Sequence, residues 1–222
     1  MAAPAKTDGE PAGLRRTVPF ASCFIYAPRG AGFLSMSARV LCHRIKTSDP
    51  VWIPRYAGCV AELLARTYMF RRIFARDALL VPVPGSAAAL PRHWPAWQLA
   101  TALRELGLAC GVWSGLQRQL PVRKSATALS GERPTVWQHY ASLSLGQVPA
   151  PVPHRLVLID DVITKGRTLL AAATRLSSGL PHADIRAFAL VRTLGFVSRV
   201  ERLLEPCEGV VYWAGGDARR EP

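Results

Sequence analysis

The chain has 222 residues, half of them hydrophobic and 19% charged, with a net charge of +13. That is enough apolar chain for one domain with a sizeable core, and too apolar for a disordered one. No apolar run reaches bilayer length, so a membrane-spanning helix is excluded, and no C-x-x-C pair among the five cysteines points to a zinc ribbon or a disulfide framework. In chain order, residues 1–17, MAAPAKTDGEPAGLRRT, lack an apolar stretch of their own and are expected to be a flexible lead-in to a cytoplasmic protein with reduced thiols. Cys23–Gly32 reads as a short strand ending in a Pro-Arg-Gly turn, followed by helices over Phe33–Lys46 and Arg55–Phe74. Ala78–Ser86, ALLVPVPGS, is a strand that must stop early, because Pro82 and Pro84 cannot donate to a ladder. Trp94–Gly107 is a helix with proline in its first turn and glycine at its end.

Gly111–Leu145 alternates between strand-like and turn-rich stretches, the pattern of a functional or disordered loop. Arg155–Asp160, RLVLID, is a continuous apolar run that suits a parallel strand buried on both faces. A helix over Arg167–Ser178 and strands over Ile185–Thr193 and Gly209–Gly216 follow, the last at the sheet edge, with 215–222 as a flexible tail. Strands alternating with helices predict an α/β domain with a mostly parallel central sheet flanked by helices.

The stretch with most chemistry is VLIDDVITKGRT, Val157 to Thr168. An apolar strand runs into two carboxylates, Asp160 and Asp161, and then into a glycine-containing turn that opens a helix. Free N–H groups at that helix start, the Thr164 and Thr168 hydroxyls, and the Lys165 and Arg167 charges suit a phosphate. The acids would repel that phosphate at contact, but a few ångströms away they suit sugar hydroxyls and the water shell of a magnesium ion. A phosphorylated ribose makes both demands at once. The five histidines have neither metal-ligand nor catalytic spacing, and the six tryptophans read as packing residues. Nearly all the positive charge is arginine, spread without a dense run, so a polyanionic partner is admitted but not specified.

VLIDDVITKGRT resembles the signature of type I phosphoribosyltransferases, with Lys165 standing where a second Thr or Ser is commonest. LLVPVPGSAA looks like the strand and pyrophosphate loop of the competence-protein-F-like (ComF-like) branch of that family. LSGERPTVWQHY is similar to that branch's Leu-Ser-x-x-Glu-Arg-x-x-Asn-Val-x-x-x-Phe segment, shortened by one residue and without the Asn, and HRIK resembles its early lysine-containing helix. The cysteine-rich zinc ribbon of many such proteins is missing from this sequence.

The resemblance spans roughly Ile25 to Thr193 and implies a type I phosphoribosyltransferase-like domain over 18–214. Residues 18–76 would give a small N-terminal hood and helices, and 77–214 the core. The implied activity is magnesium-dependent transfer of ribose 5-phosphate from phosphoribosyl pyrophosphate (PRPP) to a nitrogenous base or amine, releasing pyrophosphate. Asp160 and Asp161 would be the catalytic, ribose-binding pair. Thr164, Lys165, Gly166, Arg167 and Thr168 would cradle the 5′-phosphate, and Pro84, Gly85 and Ser86 the pyrophosphate. Arg123 and Lys124 would form a mobile lid. Magnesium would be held mainly through PRPP, with no direct protein ligand. In 6-oxopurine members an Asp at the position of Thr164 takes a proton from the base; Thr164 cannot, which points away from hypoxanthine and guanine. A non-catalytic PRPP- or nucleotide-binding module, contacting nucleic acid or protein through its basic surface, is the alternative. A homodimer stays open, and no motif indicates nucleic acid.

Overall fold

The computed structural model describes residues 13–88, 94–123, 132–151, 154–195 and 197–222. Nine strands and five helices follow one another there: β1 (Thr17–Tyr26), α1 (Phe33–Lys46), α2 (Trp52–Arg66), β2 (Leu79–Pro82), α3 (Pro95–Glu105), β3 (Gly111–Val112), β4 (Leu116–Arg118), α4 (Val136–Ala141), β5 (Leu143–Leu145), β6 (Arg155–Ile163), α5 (Arg167–Gly179), β7 (Asp184–Thr193), β8 (Leu204–Ala214) and β9 (Asp217–Glu221). Seven strands form one sheet in the order β3-β2-β6-β7-β1-β8-β9, and β4 and β5 make a separate antiparallel pair. The first five are parallel; β8 and β9 join antiparallel. The α/β architecture expected from the alternating pattern is therefore present.

Continuous apolar runs explain the sheet interior. Leu156, Val157, Leu158 and Ile159 of β6 are buried on both faces, as are Ile185 and Ala187 to Val191 of β7. One layer holds α1, α2 and α3 around Phe70, Leu80, Leu99 and Phe188. The other holds α5 and α4 around Val81, Leu158, Leu170 and Leu176. Burying side chains of this size stabilises by about 1.5–3 kcal/mol each before entropy is charged against it.

Five expectations are corrected. Residues 18–76 hold the expected helices, but their first part is not a hood: β1, TVPFASCFIY, is apolar nearly throughout and lies inside the sheet between β7 and β8. The ordered chain also starts before residue 18, since Arg15 donates to Ser177 Oγ and to the Ile185 carbonyl. The segment 215–222 is not a tail: Gly215 and Gly216, at φ 56° and 87°, make a two-residue hairpin that folds β9 onto β8 and buries Ala218. β9, not β8, is accordingly the edge strand.

The second helix ends at Arg66 rather than continuing to Phe74. Thr67 turns extended, and Phe70 takes a left-handed φ of 67° while its N–H donates to Glu208 Oε1 at 2.6 Å. That turn buries the Phe70 ring edge-on against Phe188, 5.6 Å between centroids. Burial and a charged hydrogen bond outweigh the local preference for helix. No helix among the described residues is long and apolar enough to cross a membrane.

Candidate functional site

An early-ending strand, β2, and its longer neighbour β6 make the site. Parallel pairing of β2 with β6 sets Pro82 opposite Ile159 and continues in Val83 N–H donating to the Ile159 carbonyl at 2.9 Å. On its other side β2 pairs with β3 only at Leu79 and Leu80, so the missing N–H of Pro82 costs no ladder bond. Pro84, Gly85 and Ser86 then leave the sheet beside the acid pair. A cavity of about 230 Å³ opens at this carboxyl edge. Pro84, Gly85, Ser86, Arg123, Asp160, Asp161 and Thr168 all line it. Three segments from distant parts of the chain meet there, as expected of a ligand site beyond strand ends.

The acids are held by their own backbone. Asp160 Oδ1 accepts from the Asp161 N–H and Asp161 Oδ1 from the Val162 N–H, each at 2.9 Å. β6 runs through both acids to Ile163, longer than its apolar run suggested. Burial first, and the neighbouring Asp161 second, push the Asp160 carboxyl well above the usual carboxylate range. Among the described residues no cation forms an ion pair with either acid. Arg118 and, from α1, Lys46 act on Asp160 electrostatically without bonding it.

Arg118 was not singled out by sequence reasoning. It is 4% exposed, donates from Nε to the Gly85 carbonyl and from Nη1 to Ser142 Oγ, and reaches the Pro84 carbonyl at 3.3 Å. Burial lowers its pKa to about 10 against the opposing pull of Asp160. It therefore fixes the shape of the Pro84–Ser86 loop and adds a cation to the cavity. Val122 N–H, donating to the Ser86 carbonyl at 2.9 Å, braces the same loop. A lone Arg in an irregular stretch gives no local signal of this role.

His139, one of the five histidines without metal-ligand or catalytic spacing, is 4% exposed and also lines the cavity. It sits on α4, whose first turn is fixed by a capping box between Thr135 and Gln138. Its Nε2 lies 3.5 Å from Thr168 Oγ1, and its Nδ1 is buried without a partner. Burial, then Arg118 and Arg167, push its pKa down to about 4.

The phosphate-loop residues do not all face the cavity. Thr168, in the first turn of α5, does. Lys165 and Arg167 instead grip Asp217 of β9: Lys165 Nζ to Oδ2 at 3.0 Å, Arg167 Nε to Oδ1 at 2.5 Å and Arg167 Nη2 to Oδ2 at 2.7 Å. Burial works against the Asp217 carboxylate, but the hydrogen bonds from Arg167 and Lys165 win and hold its pKa down to about 2. Thr164 is exposed, and its carbonyl accepts from Arg220 Nε at 3.1 Å.

Gly166 caps α5 in the left-handed region at φ 85°, and a Cβ there would lie 2.6 Å from Val211 Cγ1. Contact with β8 thus requires glycine whether or not a phosphate approaches. Of the expected lid, Arg123 lines the cavity and pairs with Glu132, both half-exposed. Lys124 lies outside the described residues.

A second cavity, about 450 Å³ and largely apolar, lies between β1, α1 and α2 beside Trp52; neither acid borders it. Among the described residues no group of three or more His, Cys, Asp or Glu side chains could hold a metal by itself. The acid pair fits a magnesium ion held through water and ligand oxygens, because it is a two-carboxylate set at the cavity wall with no ion-pair partner among the described residues. No family model matches the chain, and no curated protein matches it.

Proposed function

We propose that the chain is a phosphoribosyltransferase of the type I, ComF-like kind, binding PRPP at the cavity between β2 and β6. The observation that carries this reading is the meeting of Asp160 and Asp161 with the Pro84–Ser86 loop and Thr168 around one cavity. Asp160 and Asp161 accept hydrogen bonds from the two ribose hydroxyls. The turn around Gly85 and Ser86 donates backbone N–H groups and a hydroxyl to pyrophosphate, with its shape held by Arg118. The first turn of α5, with the Thr168 hydroxyl, receives the 5′-phosphate. Magnesium, when bound, would neutralise pyrophosphate charge beside the acid pair. As the ribosyl carbon becomes cationic, these groups stabilise charge and exclude water rather than form bonds.

The test is pyrophosphate release from PRPP with a panel of bases and amines, with mass detection of the nucleotide formed. Product with one acceptor supports transfer. Tight PRPP binding without product supports the second reading, a PRPP- or nucleotide-binding module. One feature favours that alternative: the net charge of +13 suits a polyanionic or acidic partner. Its basic surface would then contact nucleic acid or another protein.

A further inference from the structure

His139 is a buried imidazole at a cavity wall, with one ring nitrogen lacking any protein partner. A neutral imidazole carries one donor and one acceptor. An unmet acceptor costs less than an unmet N–H, so the proton belongs on Nε2, the nitrogen nearest Thr168 Oγ1. Thr168 then accepts from His139 and turns its own proton outward. The groups facing this ring are Arg118 of β4, Arg167 and Thr168 of α5 and, across the cavity, Asp160 and Asp161 of β6 and Arg123. Burial first, and two nearby guanidiniums second, keep the ring neutral while the cavity holds no anion.

We propose that His139 couples anion binding in this cavity to proton uptake, so that an anionic group seated by Thr168 is held by an imidazolium as well as by the helix start. An arriving anion offsets the field of Arg118 and Arg167 and gives the charged ring a partner. Both effects raise the proton affinity of His139 from its depressed value, about 4, although the burial that is the larger cause of that depression stays in place. His139 is a positioning residue for Thr168 in the neutral state and a direct electrostatic partner of the anion in the charged one. The proposal deepens the PRPP reading by adding pH regulation to the same site.

Sulfate is the probe, because it does not titrate near neutrality and does not require the ribose reading to hold. A partial rise in the ring's proton affinity predicts sulfate affinity about two- to threefold higher at about pH 5 than at about pH 7. Calorimetry of the full chain in two buffers of different ionisation enthalpy should show net proton uptake near pH 5.5. His139→Gln should abolish the uptake and flatten the pH dependence while leaving the folding transition in place. Should that variant fail to fold, the histidine resonances of the unaltered protein, followed by NMR with and without sulfate, give the same answer.

Sulfate binding with no proton uptake, or equal uptake in His139→Gln, would overturn the proposal. Absence of sulfate binding at either pH would overturn it too. Failure of PRPP to bind while sulfate binding stays proton-coupled would instead remove the PRPP reading and leave this inference standing.

Discussion

Asp217→Asn is the most informative single change outside the cavity. Asp217 accepts from Lys165 and Arg167, and its side chain is 27% exposed, against 58% for Lys165 and 20% for Arg167. Its pKa falls from an ordinary 3.8 to about 2. At full strength that difference corresponds to about 2.4 kcal/mol. Water screens the Lys165 side of the cluster, so about 1 kcal/mol is the expected contribution. Because the folded pKa is the lower one, this stability is present above about pH 4 and is lost as pH falls toward about 2.

Urea denaturation at neutral pH should show the variant weaker by about 1 kcal/mol, or lower in Tm by about 2–4 °C. The gap between the two proteins should close by about pH 2, where the carboxylate is protonated. The variant also releases Lys165 and leaves Arg167 held only by the Arg133 and Pro134 carbonyls, so its affinity for a phosphate monoester should rise several-fold at low salt. Equal stability of the two proteins at neutral pH, or a gap that persists into acid, would refute the assignment of this cluster as a stabilising clamp.

The remaining predictions concern single contacts. Gly166→Val should lower stability without any ligand, by about 1–3 kcal/mol in chemical denaturation, because the φ of 85° is strained for it and its Cβ meets Val211. The variant that isolates phosphate binding is therefore Thr168→Val, which should weaken PRPP binding in calorimetry with little change in melting. Glu208→Ala should cost about 1–3 kcal/mol in chemical denaturation by leaving the Phe70 N–H unpaired within the turn that buries its ring. Thr135→Ala removes half of the capping box that seats α4; it should lower stability by about 1 kcal/mol and weaken the pH dependence of anion binding through His139.

The sequence was most legible where structure is local. From Val157 to Thr168 an apolar run, a turn glycine and a following helix lie within a dozen residues, and the observed β6–turn–α5 unit follows them closely. Pro82 and Pro84 likewise marked where β2 leaves the sheet. What was missed depends on partners far along the chain. Arg118 acquires its role from carbonyls about thirty residues away, in Pro84 and Gly85, and His139 from Thr168. β9 is too polar to read as a strand, and only the Gly215–Gly216 turn announces it. Lys165 and Arg167 read as phosphate ligands because the acid that engages them lies fifty residues on. The helix expected through Phe74 failed because Glu208 rewards a left-handed turn that local propensity disfavours.

PRPP affinity in the double variant Asp160→Asn, Asp161→Asn tests the central claim most directly. Two adjacent carboxylates, one with a raised proton affinity, are costly unless a ligand uses them. Calorimetry with magnesium present should show PRPP affinity lower by at least about tenfold, or about 1.4 kcal/mol, with ligand-free Tm unchanged or higher because the like-charge conflict is gone. Unchanged PRPP affinity in that variant, or no PRPP binding by the unaltered protein, would contradict the assignment of this cavity as a phosphoribosyl site.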